Sequence, residues 1–156
     1  MEQAQLEEAR NKFKETWHRL DILFNQYARA CGLNFTSMMV LDFIYYAHIS
    51  QKPYTQKEIC DKLNLPKQLV NIVIKTFWQQ GYVELKEAKD RRIKHILLTP
   101  KGQNYAAKII NAIDAAEDKA WECFADDDII NLVNGMEKYE KSFEQAICNI
   151  QRGGEK

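Results

Sequence analysis

The apolar positions of the chain fall into blocks with helical spacing, interrupted by one short stretch where the period changes. From residue 4 to 30, Leu6, Phe13, Trp17, Leu20, Phe24 and Tyr27 recur at steps of three, four or seven, which predicts one long helix with a single apolar stripe. Cys31-Gly32 ends it, glycine being suited to a left-handed cap. Residues 35–49 predict a second helix that starts near Thr36 or Ser37. Its inner face is Met38, Leu41, Ile44, Tyr45 and His48, widened by Met39, Val40 and Phe43. Thr55-Gln56-Lys57-Glu58 has the form of a capping box and opens a short helix to about Leu63. Asn64-Leu65 turn the chain, Pro66 sits in the first turn of the next helix, and Gly81 stops that helix after about Gln80. Two short helices joined by such a turn are the helix-turn-helix pattern.

After Gly81 the period shortens. Val83 and Leu85 alternate with polar residues as in a half-buried strand. The charged link Lys86 to Arg92 follows, and Ile93 to Leu98 forms an apolar return strand. Thr99-Pro100 then caps and starts a helix to about Phe124, with Tyr105, Ile109, Ile113, Ala116, Ala120 and Phe124 on its apolar face. Asp126 caps a last helix to about Ile150, with Ile129, Val133, Met136, Phe143 and Ile147 on one face, and Gln151 to Lys156 fray. The expected fold is mainly α with a small β-hairpin wing, an α+β arrangement. The chain ends carry more apolar surface than one small central module covers, so a homodimer built from both ends is expected to bury it.

Charge changes the picture only when the chain is divided. The 156 residues have a net charge of zero, yet residues 51–101 hold eleven Lys or Arg against five Asp or Glu. A basic middle between acidic ends points to a polyanionic partner for the middle alone. The four cysteines, Cys31, Cys60, Cys123 and Cys148, lie far apart with no C-x-x-C, which suggests reduced thiols in the cytoplasm and neither a disulfide frame nor a zinc site. His18, His48 and His95 are scattered, so no metal is expected, and no cofactor is implied. No apolar stretch reaches about 18 residues, and the polar N-terminus is no secretory signal, so no membrane partner is expected. No Gly-rich phosphate loop or nucleophile–base spacing points to an enzyme. The run Asp126-Asp127-Asp128 is accounted for by capping and the helix dipole.

The chemistry therefore concentrates in the helix-turn-helix and the hairpin. On the helix from Pro66, Val70, Val73, Ile74 and Phe77 share one side, while Lys67, Gln68, Asn71 and Lys75 share the other. Amide side chains pair with base edges, Asn and Gln bidentately with adenine, and lysines meet phosphates. Gln56 and Lys57 on the preceding helix are further phosphate contacts. In the hairpin, Lys86, Lys89, Arg91, Arg92 and Lys94 form a cationic tip, and Asp90 is placed to orient one arginine while the other reaches out. Arginine suits phosphates and narrow minor grooves.

The runs TQKEICDKLNLPKQLVNIVIKTFWQQGYVEL and KDRRIKHILLTPKG resemble the winged helix-turn-helix of the MarR family of bacterial transcription regulators. Asp90-Arg91-Arg92, Leu98-Thr99 and Lys101-Gly102 match the family's hairpin, and the flanking helices match its architecture. The resemblance implies three regions: an N-terminal dimerisation helix (1–34), a winged helix-turn-helix DNA-binding domain (35–99) and C-terminal dimerisation helices (100–156). It implies a homodimeric regulator, acting as a repressor, on a pseudo-palindromic operator in double-stranded DNA. Gln68, Leu69, Asn71 and Ile72 then fall on the base-facing stretch, and Arg91 or Arg92 on the minor-groove probe. Where such proteins often carry Arg or another polar residue, this chain has Ile72, which either touches a thymine methyl or packs. The resemblance also brings a small lipophilic or aromatic effector that releases DNA, with Trp17, Phe24, Met38, Tyr45, Tyr46 and His48 as a candidate pocket. Cys31, at a helix end, is the candidate for redox sensing. The rival reading is a protein-interaction module that kept the winged fold without sequence-specific DNA binding.

Overall fold

The computed structural model describes residues 2–87 and 94–153. Among them the order is α1 (Gln3–Ala30), α2 (Phe35–Ile49), β1 (Tyr54–Thr55), α3 (Gln56–Leu63), α4 (Lys67–Gln79), β2 (Val83–Glu87), β3 (Lys94–Leu98), α5 (Pro100–Trp121) and α6 (Asp126–Gly153). The small sheet is antiparallel with strand order β1-β3-β2. This is the mainly helical, winged helix-turn-helix architecture expected from the pattern. The chain divides into two compact units, residues 1–111 and 112–156.

The first unit is organised around one apolar core. Leu41 and Ile44 of α2, Ile59 of α3, Val70, Ile74 and Phe77 of α4, Val83 of β2, Ile96 and Leu98 of β3, and Ala106 and Ile110 of α5 are buried together. Tyr27 of α1 packs against this cluster and donates its hydroxyl to the Ile109 carbonyl at 2.6 Å; Tyr45 donates to Asn111 Oδ1 at 2.9 Å. Each phenol thus satisfies its polar tip at the edge of an apolar environment. In the second unit α6 begins with three aspartates in its first turn, where the helix dipole favours anions.

Several local expectations shift. The cap of α2 is Asn34, whose side chain accepts the Ser37 N–H at 2.8 Å; Thr36 and Ser37 already lie inside the first turn. Pro66 occupies the N-cap position of α4, its carbonyl accepting from Leu69 and Val70. Asp126 is the first residue of α6, and the Ala125 carbonyl accepts from Asp128 and Ile129. That helix runs through Gly153, past Ile150, whereas α5 stops at Trp121, short of Phe124. The face α5 buries is Gly102, Ala106, Ile109 and Ile110, rotated from the Tyr105–Ile113–Ala116 stripe because small residues allow the closest approach. Leu85 is exposed, since β2 runs out beyond the core after Val83. Strand β1 was not foreseen: its two residues pair with His95 and Ile96.

Candidate nucleic-acid interface

The helix-turn-helix is held by its ends. Thr55 Oγ1 accepts the Glu58 N–H at 3.2 Å, while a Glu58 carboxylate oxygen accepts from the Thr55 N–H and hydroxyl, each at 2.8 Å. The Thr55 hydrogen bonds, backbone first, hold the Glu58 carboxyl below its ordinary pKa. Ile59 is fully buried one residue later, which fixes α3 to the core. Asn64 then takes a left-handed conformation (φ 50°), open to Asn at lower cost than to most side chains, and the Leu65 N–H reaches back to the Cys60 carbonyl at 3.0 Å. The turn is thereby closed and α4 starts at a set angle.

Helix α4 is divided as its period requires. Val70, Val73, Ile74 and Phe77 are buried. Lys67, Gln68, Leu69, Asn71, Ile72 and Lys75 are exposed. The side chains of Lys67, Gln68, Asn71 and Lys75 form no hydrogen bond or ion pair with the described residues. Their donors and charges stand available on a rigid support. On α3, Lys57 is exposed and Gln56 half-buried.

The far end of α4 is clamped to the wing and to α5. Gly81, in the left-handed region (φ 73°), lets the Tyr82 N–H bond the Phe77 carbonyl at 2.8 Å and the Gly81 N–H bond the Trp78 carbonyl at 2.9 Å. Thr99 then ties three segments together. Its N–H donates to the Tyr82 carbonyl at 3.0 Å, its hydroxyl donates to the Gly81 carbonyl at 2.7 Å, and the same oxygen accepts the Gly102 N–H at 3.0 Å. Lys101 donates to the Gln80 carbonyl at 2.8 Å and lies 5.0 Å from the Tyr82 ring centroid. Tyr105 stacks on that ring at 4.1 Å, and burial raises the pKa of its phenol. At Gly102 any Cβ would collide with the Tyr82 carbonyl oxygen. So Thr99, Lys101 and Gly102, recognised in the sequence only as a pattern, are the bolts between α4, the hairpin and α5.

The hairpin itself pairs Val83 with Leu98 at its base, Leu85 with Ile96, and Glu87 with Lys94 toward its tip. Lys94 is exposed, and Lys86 lies 3.7 Å from Glu84, a solvated pair of little energetic weight. Lys89, Asp90, Arg91 and Arg92 lie outside the described residues.

Comparison with known proteins now decides the family. The family model described as MarR family matches residues 32–93. The solved structure of NMB1585, a MarR family regulator from Neisseria meningitidis, is 28% identical with a TM-score of 0.70, over 89% of this chain and 96% of that one. The chain belongs to the MarR family. Its fold is also that of MepR, a transcription regulator of the Staphylococcus aureus multidrug efflux pump MepA (18% identity, TM-score 0.64, 84% of this chain and 95% of that one). A MepR variant bound to an oligodeoxyribonucleotide has the same fold (17% identity, TM-score 0.58, 86% and 97%). No curated protein matches the chain. MarR family members are transcription regulators and not enzymes.

The remaining residues singled out for a MarR effector or sensor are dispersed. Met38 and Tyr45 are core, Trp17 and Tyr46 are exposed, and Phe24 is half-buried with its ring 6.4 Å from that of Phe35. His48 lines an apolar cleft of about 240 Å3 in the first unit, together with Ile44, Ala47 and Pro53 on one side and Ile96 and Leu98 of β3 on the other. That cleft had no sequence signal, because its walls are an ordinary helix face and strand. Cys31 is the half-buried C-cap of α1. Among the described residues no group of His, Cys, Asp or Glu is gathered to hold a metal ion, and no helix is long and apolar enough to cross a membrane.

Proposed function

We propose that this chain works as a homodimeric, cytoplasmic repressor that binds a pseudo-palindromic operator in double-stranded DNA, with one α4 entering the major groove of each half-site. The observation that carries this reading is the exposed face of α4: unpaired lysines and amides on a helix anchored by four buried side chains and clamped at its far end. Gln68, Leu69, Asn71 and Ile72 face bases, while Gln56, Lys57, Lys67, Lys75 and Lys94 meet phosphates. Arg91 and Arg92, oriented by Asp90 and joined by Lys89, enter on sequence alone as the minor-groove contact. Residues 35–99 are the DNA-binding domain in this reading, and 1–34 with 100–156 supply the dimer. A protein partner alone would not call for unpaired lysines flanking the apolar Ile72, so DNA is the favoured occupant.

A small aromatic or lipophilic effector that lowers operator affinity completes the proposal, and the cleft beside His48 supports room for one within the first unit. Cys31 as a redox trigger has only its position at a helix end in support.

Selection of bound fragments from genomic DNA, followed by footprinting, tests the reading: a protected inverted repeat is expected. On that repeat Arg91→Ala with Arg92→Ala should weaken binding sharply, with unchanged circular dichroism, and should flatten the salt dependence by about one log unit per lost phosphate contact. Failure to protect any repeat would remove the proposal.

A further inference from the structure

The middle of the exposed α4 face is less polar than phosphate binding alone would require. Ile72 is 61% exposed and Leu69 44% exposed, on the same side of the helix as Gln68 and Asn71. The lysines lie at the margins, Lys67 at the first helical position and Lys75 two turns later. No arginine occurs between Lys67 and Gln79, and the Thr76 hydroxyl is already donated to the Ile72 carbonyl at 2.9 Å.

Each of these residue types matches a base edge. Gln and Asn pair bidentately with adenine N6 and N7, and an apolar side chain in the major groove fits the C5-methyl of thymine. The N-terminal residues of a recognition helix are the ones that reach base edges, which here are Lys67 to Ile72. An exposed isoleucine gains by covering a methyl. Against guanine or cytosine it would strip water from a carbonyl or amino group and offer nothing in return.

We infer that Ile72 and Leu69 are specificity-determining residues that read thymine methyl groups, and that the centre of each half-site is composed of A·T pairs read jointly with Gln68 and Asn71. The inference rests on the DNA-binding reading and deepens it by naming the base composition that the helix selects.

Replacing thymine by deoxyuridine removes the methyl group and leaves pairing intact, so it isolates this contact without altering the protein. The full-length protein is first used to enrich duplexes from a random library, and each thymine of the enriched half-sites is then replaced singly by deoxyuridine, with affinity read by fluorescence anisotropy. The expected result is that at one or two positions per half-site the substitution weakens binding by about fourfold, the worth of one buried methyl. That loss should vanish in Ile72→Ala or Leu69→Ala, each exposed enough to be replaced without unfolding the helix. Enriched duplexes indifferent to deoxyuridine, or a loss unchanged in both variants, would overturn the inference while leaving DNA binding intact. Enrichment of no duplex at all would overturn the DNA-binding reading itself, and the inference with it.

Discussion

All the buried side chains of the described protein lie in residues 2–111; residues 112–153 have none. The first unit closes its own core from helices, wing and the start of α5. The second unit displays Trp121, Phe124, Ile130, Val133, Tyr139, Phe143 and Ile147 at helical spacing, and all are exposed. Both segments have the composition and periodicity of buried helices, so the difference does not lie in their hydrophobicity. It lies in what covers them. A 28-residue helix with an uncovered apolar stripe gains little from its own contacts, since helices in water depend on packing an amphipathic face. The DNA-facing half is built to be stable alone and the other half to be stabilised by association.

The strongest way to break this contrast is to strike each side with an aromatic substitution. Phe77→Ala empties a site at the centre of the first core, where Phe77 is 1% exposed, and should destabilise by about 3–5 kcal/mol at any protein concentration. Val133→Asp with Phe143→Asp should instead convert the wild-type dimer to a monomer in light scattering. It should abolish the concentration dependence of Tm and weaken operator binding by about a hundredfold or more, as two half-sites can no longer be held together. A wild-type chain that is monomeric at micromolar concentration, with a Tm independent of dilution, would refute the division.

Two glycines sharpen the same comparison. Gly102 and Gly135 both lie within helices, where Gly→Ala alone should add about 1 kcal/mol of stability. At Gly135 a Cβ meets nothing within 4 Å, so Gly135→Ala should raise Tm. At Gly102 the Cβ collides with the Tyr82 backbone, a neighbour that cannot rotate aside. Gly102→Ala should therefore lower stability by about 1–3 kcal/mol and loosen α4 at its clamped end. Thermal melts of the two variants give opposite signs if the clamp is as rigid as its contacts imply. A fall in Tm at Gly135 would instead reveal a close approach across the association surface.

These glycines also mark what is legible in a sequence. The helix-turn-helix could be read because its signals are local: the Thr55–Glu58 box, the left-handed cap at Gly81 and the i, i+3, i+4, i+7 spacing of Val70, Val73, Ile74 and Phe77 all lie within a few residues of what they control. Gly102 could be seen only as part of a pattern, because the atom that demands a glycine is the carbonyl of Tyr82, distant in the chain. The phase of α5 went astray for a related reason: Gly102 and Ala106 are buried for their smallness, which a hydrophobic stripe does not weigh. Strand β1 escaped because two residues are too few to show alternation, and its partner His95-Ile96 comes from the other end of the module. The unpartnered faces of α1 and α6 were visible as stripes, yet a single chain carries no mark of what covers them.

The smallest effect expected concerns the Thr55–Glu58 box, and its sign is set by the pKa. The hydrogen bonds from Thr55 lower the Glu58 pKa in the folded protein below its ordinary value of 4.5. The unfolded chain therefore binds this proton first as pH falls. The box contributes its full stability above about the unfolded value and loses it as pH drops through the folded one. Thr55→Ala removes the cap and should lower stability by about 1 kcal/mol at neutral pH. Because the variant's Glu58 has lost the Thr55 hydroxyl, one of the two donors that lower its pKa, the gap between wild type and variant should narrow steadily as pH falls below 4.5. Urea titrations at pH 7 and at pH 3.5 measure that gap directly. A gap of equal size at both would mean that the carboxylate is a bystander and that the Thr55 hydroxyl alone starts α3.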